Sequence, residues 1–162
     1  MGWHEAYLAQ ARSEEGIRKQ LTAARVEYCH RLHYLQMVSE KLAKATLTPI
    51  GSPRPAPTTH TAFVRMLQVI KGRRDIRRQL GFTDATLFKN YIDSLLDLAA
   101  KIQALSPDLA GLTQPNPEYP WEDPLTHAVQ APVDYDFPLF DTRDPKMLKI
   151  DRLISDLLRV MT

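Results

Sequence analysis

Apolar side chains recur every three or four residues along most of this chain, which is the spacing of amphipathic helices rather than of strands. A first helix is predicted from about Trp3 to Ala24 and a second from about Val26 to Leu47. Their apolar stripes comprise Trp3, Tyr7, Ala11, Ile17, Leu21 and Ala24 in the first, and Tyr28, Leu32, Leu35, Val38, Leu42 and Ala45 in the second. Nothing between Leu21 and Glu27 is a typical turn residue, so the pattern leaves open whether a break separates the two helices.

The stretch TPIGSPRPAP (48–57) ends the second helix, because its four prolines and one glycine cannot continue it. A third helix is predicted from about Ala62 to Leu80, capped by Thr58 or Thr59 and stopped by Gly81. Its apolar positions are Phe63, Leu67, Ile70 and Ile76.

A fourth helix is predicted from about Ala85 to Leu105, with Thr83 or Asp84 as its cap. Its apolar stripe is Leu87, Tyr91, Leu95, Leu98 and Ile102. The last helix has Asp144 as its cap and Pro145 at its first position, where a missing N–H costs nothing. Its buried face is expected at Met147, Ile150, Ile154, Leu157 and Leu158.

Residues 106–145 contain eight prolines and several aromatic residues that favour burial. These aromatic residues are Tyr119, Trp121, Tyr135, Phe137 and Phe140. The segment is therefore predicted to be a folded irregular loop packed on the helices, and long loops of this kind often carry function. The predicted fold is all-α: one domain over 1–162, an up-down bundle of four to five helices with a long proline- and aromatic-rich loop before the last helix.

Composition narrows the class of protein. The 162 residues are 44% hydrophobic, enough for a core, yet no apolar run approaches the roughly 20 residues of a membrane helix. The start, MGWHEAYLAQARSEEG, has no signal-peptide pattern, and the single cysteine fits a reducing compartment. We expect a cytoplasmic protein that is not in a membrane.

Charge is unevenly distributed along the chain. Residues 1–82 hold 14 Lys/Arg against 6 Asp/Glu, whereas residues 83–162 hold 7 against 13, which gives charges of +8 and −6. This asymmetry indicates either an anionic partner or attraction between the two halves, within the fold or across a dimer.

The run CHRLHYLQMVSEKLAKA (29–45) collects reactive side chains in one helix. Cys29 and His33 share a face, but a zinc site would need further ligands from His60 or His127 in loops. Cys29 is more simply a small packing residue. The chain also has no phosphate-binding loop, serine elbow or HExxH motif. We expect no metal and no cofactor.

The run KGRRDIRRQ (71–79) is the densest basic cluster in the chain. Its cations are Lys71, Arg73, Arg74, Arg77 and Arg78, with Lys71, Arg74 and Arg78 predicted on one helix face. The helix dipole favours cations near a C-terminus, which is a structural explanation for the cluster. Arginine also suits bidentate phosphate contact, so RNA or DNA binding is the functional alternative.

The segment HRLHYLQMVSEKLAKA resembles the second-helix signature of the HEPN (higher eukaryotes and prokaryotes nucleotide-binding) family. The matching residues are His33, Tyr34, Gln36, Ser39, Glu40, Lys41, Lys44 and Ala45. A weaker resemblance is EYPWED (118–123), which is similar to a Tyr-Pro-Asp loop before the last helix of many members. The resemblance implies a helical bundle that commonly dimerises, as in prokaryotic toxin–antitoxin or phage-defence systems.

Catalytic members of that family are metal-independent RNases with an Arg followed, after four to six residues, by a His in a late helix. This chain departs from the pattern, because no Arg precedes His127 at that distance. The spacing occurs instead at Arg25 and His30, and at Arg54 and His60 in the proline-rich loop. A noncatalytic, dimerising or partner-binding member is the leading hypothesis, with a metal-independent RNase toxin or a purely structural subunit as alternatives.

If the protein is noncatalytic, the grouping of Glu40, Lys41 and Lys44 needs a structural explanation. Glu40 and Lys44 are four residues apart in the orientation that favours an ion pair. With His33 and Met37 they form a semi-polar stripe beside the apolar one, which suits a contact between helices or across a dimer.

Overall fold

The protein is described by a computed structural model over residues 1–56 and 61–161. The helices in these ranges are α1 (Trp3–Ala23), α2 (Tyr28–Leu47), α3 (Ala62–Ile70), α4 (Arg74–Gln79), α5 (Ala85–Asp93), α6 (Leu96–Gln103), α7 (Pro107–Ala110) and α8 (Pro145–Val160). Two short strands, β1 (Trp121–Glu122) and β2 (Val129–Gln130), form one antiparallel ladder. The predicted all-α bundle, with a long irregular loop before the last helix, is confirmed. No helix among the described residues is long and apolar enough to cross a membrane.

The second helix is the centre of the bundle. It packs along α1 and also contacts α3, α6 and α8. Its predicted apolar stripe from Leu32 to Ala45 is buried, and Cys29, Gln36, Ser39 and Ala43 are buried as well. Because neighbours cover several of its faces, α2 has a wider buried surface than an amphipathic stripe would give.

The buried face of α1 differs from the predicted stripe. Its buried residues are His4, Leu8, Ala11, Glu14 and Glu15. Trp3 and Ala24, which the stripe placed inside, are exposed. Periodicity of apolar residues could not find this face because two of its buried members, Glu14 and Glu15, are carboxylates.

A break does separate α1 from α2. Arg25 has a φ of 53°, in the left-handed region that glycine usually occupies at a helix C-terminus. The N–H of Val26 donates to the carbonyl of Leu21, and the N–H of Arg25 to that of Thr22, at 3.0 and 3.2 Å. These are the two bonds of a Schellman motif, so the turn is formed without its usual residue.

The predicted third and fourth helices are each divided in two. The third stops at Ile70 and resumes at Arg74; a single straight helix would place Ile70 and Ile76 about 240° apart, whereas both are buried.

The fourth breaks at Ser94, whose hydroxyl donates to the Tyr91 carbonyl at 2.7 Å. Leu87 is consequently exposed and Phe88 is buried in its place.

The helix boundaries signalled by Gly81 and Asp84 are confirmed. Gly81 has a φ of 82° and follows the C-cap of α4, and the Asp84 carboxylate accepts from the N–H groups of Thr86 and Leu87. The alternative caps Thr58 and Thr59 of the third helix lie outside the described residues.

The loop from 106 to 144 packs on the bundle through its aromatic residues. Trp121, Phe137 and Phe140 are buried, and the rings of Trp121 and Phe137 each meet that of half-buried Tyr135 edge-on. The prediction of burial is wrong for Tyr119, which is mostly exposed. After the loop, the Asp144 carboxylate caps α8 by accepting from the Lys146 N–H at 2.8 Å, and every predicted buried residue of α8 is buried.

Candidate functional site

The Glu-Lys-x-x-Lys part of the HEPN-like signature forms a polar seam where α2 faces α1. The carboxylate of Glu40 accepts from the Lys44 ammonium at 2.6 Å, from the Gln36 amide at 3.1 Å and from the Lys41 ammonium at 3.4 Å. Burial by itself would raise the pKa of Glu40. The Lys44 hydrogen bond and the nearby ammonium charges outweigh it and lower that pKa to about 2. The seam is therefore charged, well bonded and mostly enclosed.

A second carboxylate, Glu14 of α1, faces this seam. The Gln10 amide donates to Glu14 Oε1 at 2.8 Å, whereas Oε2 is enclosed and has no hydrogen-bond partner. Burial raises the pKa of Glu14, and the Glu40 charge adds to this while Gln10 and Lys41 oppose it. A buried oxygen without a partner costs stability, so Glu14 is a weak point in an otherwise satisfied interface.

His33 connects α2 to the EYPWED segment. Its Nδ1 atom lies 3.6 Å from Oε2 of Glu118. The segment is held in place by Asn116, which is fully buried and accepts from the N–H groups of Glu118 and Tyr119 at 3.1 and 2.7 Å. The two stretches that carry the family resemblance thus lie against each other.

The thiol and histidines of residues 29–33 do not converge. Cys29 is buried, and burial raises the pKa of its thiol, which is unfavourable for a nucleophile. The His30 side chain is exposed and makes no hydrogen bond or ion pair within the described part of the chain. No group of three His, Cys, Asp or Glu side chains that could hold a metal is found among residues 1–56 and 61–161.

The basic cluster is divided by the break between α3 and α4. Lys71 lies just past the end of α3 and donates to Asp93 at 2.7 Å, so the predicted face shared with Arg74 and Arg78 is wrong. Arg73 pairs with Asp75, and Arg77 donates to the Thr83 carbonyl at 2.8 Å. Arg74 and Arg78 are exposed on α4.

The two residues with RNase-like spacing are not on one helix. Arg25 lies in the turn after α1, and His30 lies in the first turn of α2. Both are exposed, and no hydrogen bond or ion pair joins them in the described ranges. The other spacing match depends on His60, which lies outside those ranges.

A second buried ion network, between α1 and α8, has no counterpart in the sequence predictions. Arg18 donates to Glu15 at 2.7 Å and to Asp151 at 2.9 Å. Lys19 lies 3.3 Å from Glu15, and the Ser155 hydroxyl donates to Glu15 at 3.1 Å. Burial would raise the pKa of Glu15, but Arg18, Lys19 and Ser155 together lower it. The Arg18–Asp151 and Lys71–Asp93 pairs each join a cation of the basic half to a carboxylate of the acidic half.

Beside this network lies the arginine cleft, an opening of about 540 Å³ between α1, α2 and α8. Its charged residues are Arg18, Lys19, Arg31 and Asp151, and its apolar walls include Leu32, Leu35, Met147 and Leu148. The Arg31 guanidinium lies 4.8 Å from the centre of the Tyr28 ring. The Tyr28 hydroxyl in turn donates to the Phe140 carbonyl, which fixes that ring in place.

A separate, apolar opening of about 210 Å³, the loop cleft, lies between α6, α7 and the late loop. Its floor includes Leu105, Tyr135, Phe137 and Phe140. Leu109 and Leu139 stand at its edge with 47% and 62% of their surface exposed.

Comparison with models of protein families, with curated proteins and with solved structures finds no match to this chain.

Proposed function

We propose that this chain is a noncatalytic HEPN-like helical bundle whose function is assembly, and that it pairs with a second copy of itself through the loop cleft. Its biological setting, on the HEPN resemblance, is a prokaryotic defence or toxin–antitoxin-type system. The observation that carries the proposal is the apolar surface around the loop cleft.

Support for a noncatalytic role comes from what the signature residues do. Glu40, Lys41 and Lys44 bond to one another in the seam against α1, so their charges serve the packing of the bundle. Arg25 and His30 are exposed and make no hydrogen bond to each other among the described residues. Arg25 also has a structural task, because it occupies the left-handed position of a helix-ending turn.

Support for self-assembly comes from the exposed apolar side chains. Thirteen large hydrophobic residues are exposed in the described ranges, and seven of them lie between Leu109 and Leu139. Leu109 and Leu139 project beside an apolar opening. In a two-fold symmetric dimer, the projecting leucines of each copy would enter the opening of the other copy.

Cross-linking tests this pairing directly. The native thiol of Cys29 is buried, so a cysteine introduced at Leu139 would be the only readily reactive one. With a short bismaleimide, Leu139→Cys should give a covalent dimer at low protein concentration. Leu87→Cys, equally exposed but on α5, is the matched control and should stay monomeric. Equal dimer yields from both variants, or none from either, would refute the proposed contact.

Nucleic-acid contact is a second candidate function, favoured by Arg74 and Arg78. Both are exposed on one short helix and neither has an ion-pair partner among the described residues. Guanidinium groups in this state suit phosphate oxygens.

The RNase-toxin alternative makes a distinct demand on Arg25 and His30. If the pair were catalytic, expression of the protein would be toxic and either Arg25→Ala or His30→Ala would relieve the toxicity. The proposed noncatalytic function requires that neither substitution changes growth of the expressing cells.

A further inference from the structure

Arg31 lies at the wall of a cleft and forms no ion pair in the described part of the chain. Its Nε atom is enclosed and has no hydrogen-bond partner. No other hydrogen bond or ion pair of Arg31 is present in the described part of the chain. The Arg31 guanidinium lies over the face of the Tyr28 ring, and a cation over a ring does not satisfy N–H donors.

The charged groups near Arg31 form ion pairs with other residues or none, but not with Arg31, in the described ranges. Four charged residues line the arginine cleft, namely Arg18, Lys19, Arg31 and Asp151, and Glu15 lies beside it. Glu15 and Asp151 are both bonded to Arg18, and Glu15 is also near Lys19. Asp136 and Asp141 line an adjoining opening beside Arg31, where Asp141 is bonded to Arg143. None of these carboxylates forms an ion pair with Arg31 in the described ranges.

The position of Arg31 is fixed by its surroundings. Tyr28 lies one turn earlier on α2 and its hydroxyl is bonded to the Phe140 carbonyl in the late loop. Burial raises the pKa of Tyr28 to about 12, so the phenol stays neutral and keeps its proton for that bond. The guanidinium therefore lies against a ring whose position is fixed by a hydrogen bond. Side chains held in place in this way are typical of preorganised binding sites.

The cleft also has the shape for more than an inorganic ion. Its volume of about 540 Å³ lies in the range of small-molecule sites. Leu32 and Leu35 of α2 form one apolar wall, and Met147 and Leu148 of α8 form the other. Lys19 lines the same cleft with its side chain 63% exposed, so it can turn toward a ligand.

We propose that the arginine cleft binds a small organic phosphate, with the phosphate on Arg31 and Lys19 and the apolar body between α2 and α8. Two cations suit a phosphate dianion better than a single carboxylate charge, and a planar guanidinium can bond two phosphate oxygens at once. The apolar walls add affinity that inorganic phosphate cannot gain.

Calorimetric titration of the full chain with phenyl phosphate tests this site, with inorganic phosphate and benzoate as comparison ligands. Phenyl phosphate should bind more tightly than either by about tenfold. Arg31→Gln should weaken its binding by about tenfold or more, and Lys19→Gln should weaken it by a smaller factor. The matched control is Arg152→Gln on α8, whose side chain is 84% exposed and does not line the cleft.

Three results would overturn the proposal: no binding of phenyl phosphate by the wild-type protein, equal weakening by Arg152→Gln, or benzoate binding as tightly as phenyl phosphate. Inorganic phosphate that binds equally well would remove the role of the apolar walls and overturn the organic-phosphate assignment. Thermal unfolding of each variant identifies loss of fold. If Arg31→Gln fails to fold, Lys19→Gln decides: unchanged affinity in that variant contradicts the proposal.

Discussion

The Nδ1 atom of His33 lies 3.6 Å from Oε2 of Glu118, which connects the middle of α2 to the loop that precedes α8. These residues belong to the two segments on which the HEPN resemblance rests. Burial lowers the pKa of His33, and the Glu118 carboxylate partly offsets that effect. The charge attraction between the two side chains therefore requires a protonated imidazole, which is the form that burial disfavours.

Glu118→Gln should lower the pKa of His33 further, because it removes the attraction and leaves the burial. An NMR titration of the His33 ring measures this shift. Glu122→Gln is the matched control, since Glu122 pairs with His127 and should leave His33 unchanged. A His33 pKa that is the same in wild type and Glu118→Gln would show that the carboxylate has no influence on it.

The depressed pKa also predicts how His33 affects folding. Below about pH 6.5 the His33 imidazole is protonated in the unfolded chain, whereas burial disfavours its protonation in the folded protein. The contribution of His33 to stability therefore decreases as pH falls through that value.

Glu40→Gln should destabilise the fold by about 1.5–3 kcal/mol at pH 7, the usual contribution of hydrogen bonds to a charged group. The pKa of Glu40 is lowered from 4.5 to about 2, so its stabilisation is complete above pH 4.5 and is lost as pH falls toward 2. Urea unfolding from pH 7 down to pH 3 should show the wild-type advantage narrowing. The exposed Glu122→Gln variant serves as control; a gap that stays constant with pH would contradict this account of Glu40.

Helix ends could be predicted from the sequence only where a typical capping or helix-stopping residue marks them. Gly81 and Arg25 both occupy the left-handed position of a Schellman motif, yet only the glycine is a recognisable stop. In the same way α8 could be predicted from Asp144 and Pro145 together with its regular apolar spacing. Local signals therefore predicted the elements that local interactions determine.

The candidate sites depend on contacts between distant residues, which the pattern could not provide. The buried carboxylate of Glu15 is compensated by Arg18, and Arg18 is also bonded to Asp151, 133 residues further along the chain. Arg31 was visible in the sequence only as one more cation, because its ring partner is held by Phe140 and its cleft is completed by α8. The basic cluster was visible, but the break at residues 71–73 that divides it was not, despite Gly72.

Arg25→Gly should stabilise the protein by about 0.5–1 kcal/mol, because a residue with a Cβ is disfavoured in the left-handed region. Arg25→Ala is the matched control, since it removes the same guanidinium but keeps the Cβ atom. Thermal or urea unfolding of both variants measures the difference. Equal stabilities of the glycine and alanine variants would show that the turn stores no such strain.

Arg74→Ala combined with Arg78→Ala should weaken RNA or DNA binding if α4 contacts phosphates. Fluorescence anisotropy over a salt series should show the slope of log K against log salt falling by about 1.5–2, the value for two lost phosphate contacts. Arg143→Ala with Arg159→Ala removes the same charge from exposed positions elsewhere and should change the slope less. A wild-type protein without salt-dependent binding, or equal losses in both double variants, would rule out this role for α4.

Self-assembly through the loop cleft is the central claim, and sedimentation equilibrium of the wild-type chain beside Leu109→Asp/Leu139→Asp tests it most directly. The wild type should approach twice the 18.5 kDa mass of one chain as concentration rises, because the contact buries both leucines in a second copy. The double variant should remain at the mass of one chain, since a charge inside that contact would have no partner. A wild-type protein that stays at 18.5 kDa at every concentration, or a double variant that dimerises equally well, would contradict the claim.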